Sequence, residues 1–401
     1  MINEKNNQLE NNKYNEKEVL QISVLIAFAS ILQISETMIH YPLPGLRLGL
    51  ANLIVLLVLY FYGFKRALLV NVLRTIVSSI IIGTFLSPTF ILSFLAAIVS
   101  IFVMNISYRF SLKTPVLRLS LIGISITGAI AHNITQLVVA YVLLIKNIGI
   151  FYLLPYLLLS AVIMGFINGI IVINVIRKIQ TSKGSKEDLL NSFNHSEDEL
   201  KERYYFNKNS AFSKVRAIYK IIVLVLLIIA LIAIESLYFY ARVFVLLLIL
   251  FIFSKTPVKY LSKRVLKLSG LIIISFIIPL FFINEGSVFI DWEIIQITDY
   301  AILKGTLYGT RIFLLIFASS LFFFTTSIND MKHALNIIFR PLSVINKNAP
   351  EFLSELISTT LHIIPKFINK VHHDLKKINK DKEKRLKRNL EYISDILESL
   401  F

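Results

Sequence analysis

The chain has 401 residues, 56% of them hydrophobic, a mean hydropathy of +0.71 and a formal net charge of +17. That apolar share exceeds what one soluble core can bury, so lipid is the main solvent, and the basic excess gathers in turns between apolar runs and in the carboxy-terminal tail, a topology signal rather than a nucleic-acid footprint. The sequence contains no cysteine, which excludes disulfides, iron–sulfur clusters, thiolate zinc sites and cysteine nucleophiles.

The opening "MINEKNNQLENNKYNEKE" is polar and mixed in charge, unlike a secretory leader, and residues 1–19 read as a retained cytoplasmic tail. Apolar runs then predict spans near 20–39, 47–63, 67–86, 89–107, 119–145 and 151–176, each close to the length that crosses about 30 Å of hydrocarbon as a helix. With the amino terminus inside, Lys65 and Arg66, then Arg109, Lys113 and Arg118, then Arg177 and Lys178 all fall on the cytoplasmic side. Residues 20–178 form a first membrane domain, and the charged, aperiodic stretch 179–215 a cytoplasmic linker.

A second membrane domain over 216–326 carries spans near 217–238, 242–254, 265–283 and 300–326, of which the second is short for a bilayer. Lys255, Lys259, Lys263 and Arg264 lie inside and Glu285, Asp291, Glu293 and Asp299 outside, so both termini are expected in the cytoplasm of a multi-pass cell-membrane protein. After residue 326 the period becomes amphipathic. Ile328, Met331, Leu335, Ile338 and Leu342 predict a helix at the inner interface, capped by Ser327. A second helix follows from about Phe352 to Lys377, kinked or broken at Pro365, and the basic, then amphipathic end of 327–401 suits anionic lipid or a protein-docking helix. The expected fold class is an all-α polytopic membrane protein.

Two spans carry polar stripes. Ser125, Gly128, Ala129, His132, Thr135 and Gln136 recur at three- and four-residue intervals, with Asn133 beside them, and Asn71, Arg74, Thr75 and Ser78 do the same on the third span. Polar faces inside a bilayer turn toward a bundle interior or a cavity. A lone membrane histidine or asparagine is more often helix-to-helix glue, but two stripes in one small bundle bring a ligand pocket level with that reading. Helical rise places His132 near mid-membrane and Gln136 in the outer half. The same rise separates Arg74 from Glu36 by about 13 Å in depth, which makes Arg47, at the outer mouth of the second span, the expected partner of Glu36. The candidate solute-binding residues are therefore Glu36, Arg47, Asn71, Arg74, His132, Asn133 and Gln136. Small-residue pairs Ser23 with Ala27, Gly165 with Gly169 and Gly305 with Gly309 predict close helix contacts.

Several chemistries are missing. No glycine-rich loop ends in Gly-Lys-Ser or Gly-Lys-Thr, no aspartate precedes Asp188, and no His/Glu metal pair recurs at helical spacing in the membrane. The chain is expected to have no catalytic site, no metal and no cofactor of its own.

The runs "PGLRLGLAN", "GTFLSP" and "SLIGISITGAIAHNITQLVVAYVLL" resemble the Gx transporter family, long labelled heptaprenyl diphosphate synthase component I, over about residues 20–178. That family is similar to the substrate-binding S components of energy-coupling factor (ECF) transporters, which implies a six-helix S-component-like bundle with a solute pocket toward the outer side. The runs "GTLYGTRIFLLIFASSLFFFTTSINDMKHALNIIFRPL" and "LISTTLHIIPKFINKVHHDLKKI" resemble the T component, EcfT or CbiQ, over about 215–380. This implies a smaller T-component-like domain with long cytoplasmic amphipathic helices, whose coupling region around Met331, Leu335, Lys376 and Lys377 would meet a pair of cytoplasmic ABC ATPases holding ATP and magnesium. In that family the coupling helices carry Ala-Arg-Gly signatures; "LKKINKD" stands at 375–381 here. Ser23 and Ala27 would form the contact between the halves. The implied partners are a small solute, the lipid membrane and the ATPases, with no nucleic acid. Two other readings remain open at this point: a solute sensor or scaffold that does not transport, and a noncatalytic component I of a heptaprenyl diphosphate synthase.

Overall fold

The computed structural model describes residues 16–38, 49–113, 119–181, 212, 215–292, 295–344 and 346–378. The first half comprises α1 (Glu16–Met38), α2 (Leu50–Ile82), α3 (Pro88–Lys113), α4 (Leu121–Ala140) and α5 (Leu154–Thr181). A π turn (Tyr141–Ile145) and a 3-10 turn (Ile148–Leu153) link α4 to α5. The second half comprises α6 (Ala217–Ala233), α7 (Leu237–Ser254), α8 (Val258–Phe282), the antiparallel strands β1 (Val288–Trp292) and β2 (Ile295–Thr298), α9 (Asp299–Phe324), α10 (Ile328–Phe339) and α11 (Ala349–Ile378). Among the described residues eight helices are long and apolar enough to cross a membrane, and α6 is a shorter apolar one. The fold is an all-α polytopic membrane protein, with the β1–β2 hairpin as an addition that the hydropathy pattern does not announce.

Helix α2 is a hairpin. Arg74 Nη2 lies 2.7 Å from Asn52 Oδ1, whereas a straight helix would separate residues 22 apart by about 33 Å. The reversal falls at Gly63, whose φ of 79° and ψ of −178° suit a residue without a Cβ. Its two arms, residues 50–62 and 64–82, are the second and third spans expected from the sequence. Arg66, just past the turn, pairs with Glu18 at 2.8 Å and so sets α1 and the hairpin in register.

In the second half the first boundary shifts. The run expected over 217–238 ends at Ala233, and α7 starts at Leu237 with the Ser236 hydroxyl accepting from Phe239 N at 3.5 Å. Helix α7 therefore has 18 residues and is not the short span expected over 242–254. Glu235 falls in the turn between α6 and α7 rather than inside a helix. Ser327 caps α10 by accepting from Asp330 N at 3.1 Å, and α11 continues through Pro365.

The glycine pairs mark close backbone approach. A Cβ on Gly165 would lie 2.7 Å from Ile126 Cα, and one on Gly305 would lie 2.6 Å from the Phe276 carbonyl oxygen.

The two halves do not stand side by side. In the first half the 83–87 turn and the 141–151 turns lie at one end, because its helices alternate in direction. Yet Gly83 packs on Phe323 and Phe85 on Phe322, at the end of α9, while Tyr152 stacks on Phe282 at 4.6 Å. Phe282 ends α8, which runs antiparallel to α9 with Tyr260 beside Phe324, so these two contacts fall at opposite ends of the second half. The first bundle lies across the second. The charge rule, which treats each half as upright in one bilayer, does not foresee this. The physical signal was in the turns: Phe85, Leu86, Ile148, Ile150 and Phe151 are apolar where an upright bundle would meet water, and Phe85 and Ile150 are buried.

Candidate functional site: a polar cavity and two seams

A cavity in the first bundle is walled by α1 (Gln33, Glu36), the hairpin α2 (Gly49, Asn52, Arg74, Thr75), α3 (Ser93, Ala97), α4 (Ser125, Ala129, His132, Asn133) and α5 (Ala161, Met164, Asn168). It encloses about 40 Å³, on a measure by which one water needs roughly 10–15 Å³. The space holds a few waters or a very small solute.

Arg74 organises the wall. Its Nη1 donates to Gln33 Oε1 at 2.9 Å, Nη2 to Asn52 Oδ1 and to Asn71 Oδ1 at 2.7 Å each, and Nε to Asn71 Oδ1 at 3.0 Å. Arginine has no acceptor, so each of these amides must present its oxygen to the guanidinium. Asn71 Nδ2 in turn donates to the Ala97 carbonyl at 2.6 Å, which leaves the NH2 groups of Gln33 and Asn52 directed elsewhere. Glu36 accepts from the backbone N of Leu50 at the start of α2. On α4, Asn133 Nδ2 donates to the Leu157 carbonyl at 2.8 Å and to Ser160 Oγ at 3.4 Å, so Oδ1 is its remaining acceptor.

The structure brings Glu36, Arg74, His132 and Asn133 to one cavity. Asn71 stands behind the wall as a support for Arg74. Gln136 is buried but is not on the wall, because the stripe on α4 winds past the cavity before reaching it. Arg47 lies outside the described residues. From the Glu18–Arg66 register Glu36 lies about 15 Å further along than Arg74, so the expected depth gap stands and the two line the cavity at different depths; Gln33, about 10 Å along, is the α1 side chain that Arg74 reaches. Sequence reasoning passed over Gln33, Asn52 and Asn168, although each is a lone amide in an apolar run, the same signal that singled out Asn133.

Two seams join the halves. At the first, Ser23 Oγ donates to the Leu356 carbonyl at 3.4 Å and Thr360 Oγ1 donates to the Ser23 carbonyl at 3.3 Å, all buried, with Ala27 fully buried one turn along α1. Met331 and Leu335 on α10 are buried in the core, and the same helix presents His333, Ile337 and Ile338 outward. The side chains of Lys376 and Lys377 lie outside the described residues. Lys332 Nζ donates to Ser358 Oγ at 2.9 Å, and burial pulls its pKa below the usual lysine range.

The second seam is ionic. Glu235 takes Lys146 Nζ at 2.8 Å and Arg311 Nη2 at 3.2 Å on Oε1, and Lys304 Nζ at 3.0 Å on Oε2. Arg311, wholly inaccessible to solvent, also donates to Tyr240 Oη at 2.9 Å and to the Leu144 carbonyl of the first half at 3.0 Å. Partial burial pushes the Glu235 pKa up, but the hydrogen bonds from Lys146, Lys304 and Arg311 outweigh it and hold the carboxyl at about 2.

Comparison with known proteins divides the chain at the linker. Residues 25–175 match the family described as heptaprenyl diphosphate synthase component I, and residues 208–386 match the family described as cobalt transport protein. An energy-coupling factor transporter transmembrane protein EcfT from Listeria innocua is 29% identical over 137 residues, which is 34% of this chain and 51% of the relative. One of the same description from Exiguobacterium sibiricum is 28% identical over 112 residues, covering 28% of this chain and 42% of the relative. The chain spans about half the length of the curated relatives it matches. One polypeptide thus carries a match to the heptaprenyl diphosphate synthase component I family in its first half and, in its second, a match to the cobalt transport protein family with similarity to curated EcfT membrane proteins.

Proposed function

We propose that the chain is a membrane subunit of an ECF-type ABC importer, in which the six-helix half captures a small solute and the second half couples it to a pair of cytoplasmic ATPases. The observation that carries this reading is the buried contact of α1 with α11 through Ser23, Leu356 and Thr360. The same helix places Gln33 and Glu36 on the cavity wall, about 15–20 Å further along. A helix is stiff over that length, so motion of α11 reaches the cavity through one rod. ATP and magnesium belong to the partners, and this chain supplies no hydrolytic step.

The wall suits a net-neutral, strongly hydrogen-bonding solute. It carries one carboxylate and one guanidinium, and the guanidinium is spread over three amide oxygens that turn NH2 donors away from it. Closure of the ATPases would shift α11 and α1 together and open the cavity toward the cytoplasm.

A second reading, a sensor that binds solute without transport, is favoured by "LKKINKD" at 375–381, where the resembled family carries Ala-Arg-Gly. A third, a noncatalytic membrane partner of a prenyl diphosphate synthase, is favoured by the description of the family that residues 25–175 match. Gentle detergent purification from the native membrane separates the three. Two ABC ATPases with ATP hydrolysis support the importer, bound solute without ATPases supports the sensor, and a soluble aspartate-rich prenyltransferase supports the third. Within the importer reading, His132→Ala should lower solute uptake at least tenfold with assembly intact, while Gln136→Ala, off the wall, should leave uptake within twofold. Unchanged uptake in His132→Ala would remove the cavity from the mechanism.

A further inference from the structure

The turn between α6 and α7 is three residues long, Ile234 to Ser236, and its centre is the only anion in the ionic seam among the described residues. Opposite it stands the π turn of the first half. Its fold aims two groups across: Lys146, in the left-handed region at φ 50°, sends Nζ to Glu235 and to the Ile232 carbonyl at 3.2 Å, and Leu144 offers its carbonyl to Arg311. Tyr240 completes the support by donating to the Leu231 carbonyl at 3.0 Å while accepting from Arg311.

The charges are unequal by design of the sequence: Lys146, Lys304 and Arg311 surround one carboxylate. With Glu235 present, the first half's ammonium is drawn onto the second half. Without it, Lys146 would face Lys304 and Arg311 as like charges across the seam, and attraction would become repulsion. Beside the ionic groups and the hydrogen bonds they make to Leu144 and Ile232, Tyr152 and Gly149 on Phe282 at this end and Phe85 and Gly83 near Phe322 and Phe323 at the far end are apolar packing, which adds area but little orientation. Direction at this seam therefore comes from the ionic cluster.

We propose that Glu235 is an electrostatic latch that pins the Lys146 turn of the first half to the second half and so holds the first bundle crosswise. Resting on the importer reading, release of this latch is the step that frees the bundle to turn its cavity outward. Glu235 touches neither the cavity nor the α1–α11 contact, so its role is separable from solute binding and from coupling.

The absence of cysteine makes the test direct. Tyr152→Cys with Phe282→Cys replaces the stacked rings, and a short bismaleimide applied to the purified full chain reports their proximity through a peptide map. The yield should be high in the otherwise unaltered chain and fall at least threefold when Glu235→Gln is added. Lys146→Met is the milder companion: Lys146 is about a third exposed and its loss leaves Glu235 paired with Lys304 and Arg311, so folding is retained while the ion pair across the seam is lost and only the Arg311–Leu144 hydrogen bond remains there. Its yield should fall about twofold, and it decides the matter if Glu235→Gln does not fold. Unchanged yields in the folded variants overturn the latch whatever happens to uptake. Reduced yields in a protein with no ATP-dependent uptake in any form uphold the latch and remove the importer reading instead.

Discussion

Arg74 and Arg311 are both buried cations in apolar bundles, and they are satisfied in opposite ways. Arg74 is held by the amide oxygens of Gln33, Asn52 and Asn71, and Arg311 by a carboxylate, a phenol and a backbone carbonyl from two halves of the chain. Amide oxygens solvate a charge without cancelling it, and an amide can turn to meet a ligand. A carboxylate shared with two lysines fixes distance and direction. The first arrangement suits a cavity wall whose contents change, and the second suits a joint.

The comparison is broken most severely at the joint. Arg311→Met removes three hydrogen bonds at a site with no solvent access, stranding the Leu144 carbonyl and leaving Tyr240 Oη without its donor. The loss should be about 2–4 kcal/mol, seen as a clear drop in the apparent melting temperature in detergent. If melting is unchanged, the seam does not depend on Arg311 and the distinction between the two arginines fails.

At the cavity the ranking should invert, with function lost before stability. Arg74→Gln leaves three amides and a fourth that can bond one another, so the stability cost should be about 1–2 kcal/mol. Nothing then forces their oxygens inward, and solute co-purifying with the protein, read by native mass spectrometry, should fall at least tenfold. Retained solute would mean that Arg74 closes a structural network and does not set the cavity's donors.

How far the sequence foretold this depends on whether a feature is written along one element or between two. The spans of the first half, the Ser327 cap and the glycine pairs are local periodicities and appear where the pattern put them, whereas the first boundary of the second half does not. The polar stripes on α4 and α2 pointed to the cavity for the same reason, although Gln136 shows that a stripe and a cavity wall are not the same surface. The crosswise packing could not be read from the hydropathy of the spans, which assigns each segment a depth and no orientation relative to its neighbours; its one trace was the apolar turns, with Phe85 and Ile150 now buried. The Glu235 cluster was hidden differently. An apolar run over 217–238 absorbed Glu235, and only the break at Ala233 exposes it as a turn residue. Its partners Lys146, Lys304 and Arg311 are distant in sequence and share no period with it.

The smallest effect tests the joint by pH. Around Glu235 stand Lys146, Lys304, Arg311 and the phenols of Tyr240 and Tyr308, with Tyr300 beyond them under Lys304 and no histidine among the described groups that act on it. Its carboxyl is held at about 2 in the folded chain against an ordinary 4.5. A folded value below the unfolded one means that its contribution is complete above about 4.5 and is lost as pH falls from there through about 2. The Tyr152–Phe282 proximity should therefore stay flat at acidities down to roughly pH 5 and decline only below pH 4, by a modest factor because the carboxylate is partly exposed and screened. That proximity is best read in this series with spin labels, since maleimide chemistry itself slows in acid. A decline between pH 7 and pH 5 would require a group that titrates as histidine does, and would take control of the seam away from Glu235.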